Sequence, residues 1–227
     1  MAARLRVASI SEEDLRIDCL PRKTGQAFRA FTRARWLASS NWYLAGGTAL
    51  ALHAGHRQSE DLDFFMNQVT YDVRSLERTL LGTGQWLTSL RAEGTLYGSF
   101  MGAKASFIAY PFYKPLKMFR CGILRMLSPE DIAAMKIEAI SQRGKKRDFV
   151  DLYWYSINRE SLDTVILRSM SQYVKQEHNM PHILKSLTYF ADAEKDPMPR
   201  LFFNADWKAI RSYFLTEAPK VARKLLF

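Results

Sequence analysis

The feature that most constrains this chain is the glycine pair Gly46-Gly47, set directly after Trp42-Tyr43-Leu44-Ala45 and directly before Thr48-Ala49-Leu50-Ala51-Leu52. Backbone without Cβ atoms at that point predicts an abrupt change from a short strand, Trp42 to Ala45, to a short helix, Thr48 to Ala54. Thirteen residues after Thr48, beyond Gly55-His56-Arg57, comes Asp61-Leu62-Asp63-Phe64-Phe65, whose apolar and aromatic content predicts a second strand. Residues i and i+2 of a strand share a face, so Asp61 and Asp63 are expected side by side with Leu62 turned into the core. Such a pair is often just a solvated strand edge. Here the neighbours are Leu62, Phe64 and Phe65, and unpaired charge in apolar surroundings is costly, so a divalent cation is the expected partner. Magnesium takes one or two carboxylates together with substrate phosphates. The Gly-Gly turn, at a helix start, lets backbone N–H groups approach phosphate, where the helix dipole favours negative charge. Metal and cradle together are the parts needed for phosphoryl or nucleotidyl transfer.

Around this centre the chain divides in two. Up to Tyr110 it reads as a small mixed sheet with helices on one side. The first forty residues look helical: Thr24 is placed as a cap, and Ala27, Phe28, Phe31, Ala34 and Leu37 recur at helical spacing. The other face carries Arg22, Arg29 and Arg33, with Lys23 and Arg35 nearby and no acid. It is either a solvated face or a polyanion contact. Asp72 to Leu81 reads as a helix, and Gln85–Leu90, Thr95–Met101 and Ala105–Tyr110 read as strands. After Pro111 and Pro115 the character changes, and from Ser128 onward nearly everything has helical period, with breaks at Gly144, Asn179-Met180-Pro181 and Asp196-Pro197. The predicted organisation is α/β of the α+β kind: residues 1–120 form a sheet-bearing core with an amino-terminal helical segment, and residues 121–227 form a helical part that completes the site.

The helical part holds a second block of polar residues. Ser128 is an N-cap, Pro129 suits the first helical position, and Asp131 closes a capping-box-like arrangement. Ile132, Lys136, Ile140 and Arg143 then fall near one stripe. A lysine on an apolar stripe either snorkels or aims at an anion. Gly144 ends the helix, Lys145-Lys146-Arg147 form a basic turn, and Asp148 is placed to cap the next helix with Asp151 one turn later. On the plainest reading Asp148 caps and Asp151 pairs with Arg147.

Trp42-Tyr43-Leu44-Ala45-Gly46-Gly47-Thr48-Ala49-Leu50, followed by Arg57-Gln58-Ser59-Glu60-Asp61-Leu62-Asp63-Phe64-Phe65, resembles the AbiEii/AbiGii toxin family of nucleotidyltransferases. Ser128 to Lys136, Arg143 and Arg147-Asp148-Phe149-Val150-Asp151-Leu152 extend the resemblance, which covers roughly residues 40 to 155. These proteins are toxins of abortive-infection, type IV toxin–antitoxin systems, with relatives that act on tRNA, and the wider superfamily has the DNA polymerase β nucleotidyltransferase fold. The resemblance implies a magnesium-dependent transfer of a nucleotide from a nucleoside triphosphate to an acceptor hydroxyl. It implies that Asp61 and Asp63 hold Mg2+, and that Gly46, Gly47, Thr48 and Ser59 contact phosphates. Lys136 and Arg57 then neutralise departing pyrophosphate, Asp148 acts as base or second metal ligand, and Asp151 lies by the nucleotide. Polymerase-β-like enzymes commonly carry a third carboxylate on a later strand, whereas the three later strand candidates contain no Asp or Glu before Pro111. Two alternatives stay open: a small-molecule, antibiotic-type nucleotidyltransferase, and an inactive module that binds nucleotide or RNA.

Charge bears on the acceptor. The net charge of +10 favours capture of polyanions such as RNA, a tRNA 3′ end among them, without identifying which. An antitoxin protein is the other implied partner. The two cysteines, Cys19 and Cys121, form no CxxC pattern and exclude a cysteine-based zinc site. No apolar run approaches the ~20 residues of a membrane helix, and no apolar segment follows the early arginines, so a cytoplasmic protein without membrane contact is expected. His53, His56, His178 and His182 show no metal-ligand spacing and are expected to be structural or superficial. Trp42, Trp154, Tyr153 and Tyr155 are expected to pack the two halves together.

Overall fold

A computed structural model describes residues 5–173 and 179–226. In chain order the elements are β1 (Arg6–Ser9), α1 (Arg22–Thr32), β2 (Tyr43–Ala45), α2 (Gly46–Ala54), β3 (Leu62–Met66), α3 (Val73–Leu81), β4 (Trp86–Ala92), β5 (Thr95–Phe100), β6 (Ala103–Ala109), β7 (Lys117–Cys121), β8 (Leu124–Leu127), α4 (Pro129–Arg143), α5 (Lys146–Asn158), α6 (Leu162–Gln172), α7 (Met180–Ser186), α8 (Ala191–Glu194) and α9 (Trp207–Leu226). The strands form one mixed sheet in the order β1-β7-β8-β2-β3-β6-β5-β4. β3 is antiparallel to β2 and parallel to β6, which seats Asp63 between Ala45 and Ser106 in register.

Alternation decides what each sheet face carries. Phe64 stacks on Phe107 at 4.6 Å on one face, where Phe31 of α1 closes the aromatic core. Asp63 and Phe65 point to the other face. Helix α4 crosses near α2, and its own limits follow from local chemistry: the Ser128 hydroxyl accepts from the Asp131 backbone N–H, Pro129 occupies the first turn, and Gly144 adopts φ 52°. A second apolar cluster, built on Phe149, Ile166, Leu187 and Phe214, lies among the carboxy-terminal helices.

Several expectations change. A strand, β1, stands where helix was expected near the amino terminus, parallel to β7. Helix α1 begins at Arg22, so Thr24 lies inside it, and its hydroxyl donates to the Glu60 carbonyl instead of capping. The helix stops at Thr32, leaving Leu37 to a separate short turn, Arg35–Leu37. The basic face of α1 does have an acid: Glu12 accepts from Arg29 at 3.1 Å and sits 4.0 Å from Arg33. β7 and β8 form a hairpin the sequence reading did not name, turning at Gly122 with φ 57°. Asp131 does not complete a capping box; its carboxylate accepts the Leu116 and Lys117 backbone N–H groups and the Gln172 amide. Trp42 packs on Tyr71 and Phe107 within the sheet core, whereas Trp154 does bridge the halves by lying against His56.

Candidate active site

Gly46 is where the β2–α2 turn meets β3. It holds φ +72°, and a Cβ there would stand 3.2 Å from Asp63 Oδ2, so only glycine lets the backbone pass this close to the carboxylate. The Asp63 Oδ1 atom accepts the Ser106 hydroxyl at 2.6 Å. Burial pushes the Asp63 carboxyl above its ordinary range, the Ser106 bond opposes this, and the charge of Asp61 adds to it. Asp61 lies just outside β3, with its side chain 33% exposed, and Oδ2 accepts from Arg147 Nη1 at 3.1 Å. Both carboxylates line one cavity of about 770 Å³ together with Gly46, Gly47, Lys136 and Arg143. That volume lies within the ordinary range for small-molecule ligands.

Gly47 has a different reason to be glycine. A Cβ there would fall 2.2 Å from Arg57 Nη2 and 3.4 Å from Asp151 Oδ2. The space left by the missing side chain is filled by an arginine of the protein itself. Arg57, 3% exposed, donates through Nε and Nη2 to the two oxygens of Asp151, a bidentate pair. Asp151 also accepts from His56 at 2.7 Å and forms an ion pair with Lys136 Nζ at 2.6 Å. Lys136 reaches Asp148 Oδ1 at 2.6 Å as well, and Arg143 holds Asp148 through Nε at 3.1 Å. Burial alone would raise Asp151 and Asp148, but the cations around each outweigh it and hold both carboxyls below the usual range, Asp151 far below. Burial also lowers the His56 pKa against the pull of Asp151, so the imidazole is neutral.

The structure therefore sorts the predicted residues. Gly46, Gly47, Thr48, Arg57, Ser59, Asp61, Asp63 and Lys136 all meet at the cavity, whereas Asp148 and Asp151 lie behind its wall. Asp148 does not cap α5, which starts at Lys146; it is the third residue of the helix and fully buried. Asp151 pairs with Arg57, Lys136 and His56, and it is Asp61 that takes Arg147. The Thr48 hydroxyl donates to the Asp61 carbonyl and shares a bond with Ser59 Oγ at 2.8 Å, fixing the approach to β3. His53 bonds the Leu127 carbonyl and His182 that of Ser141; His178 lies outside the described residues. Sequence reading missed Lys104, Ser106, Tyr110 and Tyr173 at the cavity. Only Lys104 and Ser106 had a usable signal, the i, i+2 spacing of polar side chains on a strand next to β3.

The charged lining consists of five basic residues, Arg57, Lys104, Lys136, Arg143 and Arg147, against Asp61 and Asp63. Paired carboxylate oxygens at the start of β3 suit magnesium, and a buried carboxyl with a raised pKa beside a second acid gains from a cation. Among the described residues no group of three or more His, Cys, Asp or Glu side chains could hold a metal. Asp61 and Asp63 are the two carboxylates of the lining, and Ser106 stands where a third acid on β6 would face Asp63.

A glycine turn beside an Asp-x-Asp pair on a mixed sheet, opposite a cluster of cations, suits phosphoryl or nucleotidyl transfer. Residues 30–94 and 121–225 match the family described as "Nucleotidyl transferase AbiEii toxin, Type IV TA system". The chain belongs to this family of nucleotidyltransferase toxins of type IV toxin–antitoxin systems. An uncharacterized protein of Aquifex aeolicus, aq_aa25, is 34% identical over 184 residues, covering 77% of this chain and 85% of that protein. The fold is similar to the crystal structure of JHP933 from Helicobacter pylori, at 18% identity and a TM-score of 0.51 over 89% of this chain and 92% of that one. No helix among the described residues is long and apolar enough to cross a membrane.

Proposed function

We propose that the protein transfers a nucleotide from a nucleoside triphosphate to a hydroxyl of RNA, with magnesium held by Asp61 and Asp63. The observation that supports this best is the cavity itself, where two carboxylates converge with five cations beside the Gly46 turn. Magnesium bound there would offset charge on the triphosphate and polarise the α-phosphoryl group. The acceptor hydroxyl loses its proton to water as its oxygen bonds to the α-phosphorus, the bond to the β-phosphate bridging oxygen breaks, and pyrophosphate leaves. Lys136 donates one hydrogen bond to Asp148 and is ion-paired with Asp151, and its remaining N–H capacity is free to meet the leaving phosphates. Arg143 and Arg147, each about half exposed, supply further charge at the rim.

We assign Asp148 and Asp151 to positioning. A carboxylate held below its ordinary pKa by two cations is a weak proton acceptor, and both are walled off from the cavity. Their task on this reading is to hold Lys136 and Arg57 in place. A small-molecule acceptor of the cationic antibiotic type fits poorly with a lining this basic. As a toxin of the abortive-infection type, the protein would act on cellular RNA in the cytoplasm, tRNA included, until a protein antitoxin restrains it.

The test incubates the protein with each labelled nucleoside triphosphate, magnesium and total tRNA. Label should appear on RNA, and disappear for Asp61→Ala and Lys136→Ala. Full activity in both variants rules out the assigned site, and no label on any RNA rules out the acceptor.

A further inference from the structure

The cavity does not end at the charged centre. Along the sheet, Asp63 pairs in register with Ser106, Ser106 with Tyr97, and Tyr97 with Leu90. A neighbouring row runs from Lys104 to Ser99 to Leu87. Register partners project from the same face, so these side chains share the face of Asp63. A shift of register between Thr88 and Leu90 brings Leu87 and Leu90, three residues apart, onto that face together. Strands lie about 4.8 Å apart, so the row carries Tyr97 about 10 Å and Leu90 about 14 Å from Asp63, out to the sheet edge.

Among the described residues nothing covers this ledge. Helix α3 packs on the opposite face, where Glu77 holds Thr88 and Arg91. Leu87 is 73% exposed, Leu90 53% and Tyr97 40%. Three large apolar side chains left in water, next to hydroxyls and a lysine and opening onto a reaction centre, match one kind of molecule. A single-stranded polynucleotide carries flat apolar bases that stack on aromatic rings and phosphates that need a cation. The basic lining favours it over a basic or neutral peptide surface.

We infer that the β4–β5 ledge is the acceptor subsite: the last bases of a single-stranded RNA 3′ end lie on Tyr97, Leu87 and Leu90, with Lys104 on a phosphate and the terminal hydroxyl delivered toward Asp63. This inference rests on the nucleotidyl-transfer reading above and names where its acceptor docks. All four side chains are exposed, so changing them leaves the core intact.

The experiment measures two bindings on the full chain: a 5′-fluorescein-labelled single-stranded RNA dodecamer by anisotropy, and a nucleoside triphosphate with magnesium by calorimetry. Tyr97→Ser should weaken the dodecamer about 10-fold, as expected for loss of one stacking partner, with Tyr97→Phe restoring it. Leu87→Ser with Leu90→Ser should act in the same direction. Lys104→Gln should lower the salt slope by about one. Triphosphate affinity should stay within about 2-fold in the Tyr97 and leucine variants, so that failure of the wild type to bind triphosphate counts against the transfer reading, separately from the ledge. Equal loss of triphosphate and RNA binding would make the ledge a donor-base site and overturn the inference. Unchanged RNA binding overturns it too, including the case where Leu87→Ser with Leu90→Ser instead disrupts self-association in sedimentation and so marks a protein interface.

Discussion

Asp61-x-Asp63 and Asp148-x-x-Asp151 are two close pairs of the same acid, and the fold gives them opposite surroundings. The first pair stands on the cavity wall, with one exposed arginine on Asp61 and a serine hydroxyl on Asp63. The second is fully buried and saturated by Arg57, Lys136, Arg143 and His56. Burial raises the carboxyl of Asp63, whereas the cations outweigh burial for Asp148 and Asp151. The lesson is that charge compensation, not residue type, separates carboxylates left open to the cavity from a scaffold that already contains its own cations. The scaffold serves the site, because Lys136 and Arg57 belong to both.

The sharpest way to break this comparison is to remove one acid of each pair. Asp63→Ala should lower nucleotide transfer by about 10³-fold or more, since metal and phosphate positioning are lost together. Its melting temperature should hold or rise, because a buried carboxyl with a raised pKa is no longer forced to ionise; a large drop in stability would make Asp63 a structural residue. Asp151→Ala should do the reverse first. It leaves Arg57 and Lys136 buried without their shared partner, at a cost of about 3–5 kcal/mol in urea denaturation. If Asp151→Ala folds as well as the wild type, the scaffold role is wrong.

Smaller changes sharpen the picture. Gly47→Ala should cost about 1–3 kcal/mol, because the new methyl must push the Arg57 guanidinium off Asp151. Circular dichroism melts of Gly47→Ala and Asp151→Ala, alone and combined, should be strongly non-additive if both act through that one pair. The smallest effect is expected from mild acid. Asp148 and Asp151 titrate below their unfolded value of about 3.9, so the stability they contribute is complete above that pH and is lost as pH falls toward their folded values. Stability followed from pH 7 to pH 5 should therefore show no loss from these two groups, with the decline starting below pH ~4 and reduced in Asp151→Asn.

Much of this was legible before any coordinates. Ser128 caps α4 and Gly144 ends it, because caps and left-handed glycines act within a few residues of chain. β4, β5 and β6 were read nearly to their ends by alternation and turn residues. β1, β7 and β8 were not, since four or five residues with mixed burial carry too little periodicity, and β1 is exposed along its whole length. The cap assigned to Asp148 failed for a related reason: capping chemistry is available to any aspartate near a helix start, and a lysine one helix away competed for it.

What the sequence alone determined about this protein is its local grammar: the glycine turn at Gly46-Gly47, the strand that carries Asp63 with Asp61 just before it, the bounds of α4, and the family these residues resemble. What only the tertiary structure decided is the partner of each charge. Gly47 makes room for Arg57, Asp151 belongs to Arg57 and Lys136, and Ser106 faces Asp63 where an acid was sought. Backbone conformation is set by neighbours along the chain, but Coulomb and hydrogen-bond partners are chosen by distance in space. Arg57 and Asp151 are 94 residues apart and meet only once both halves are folded.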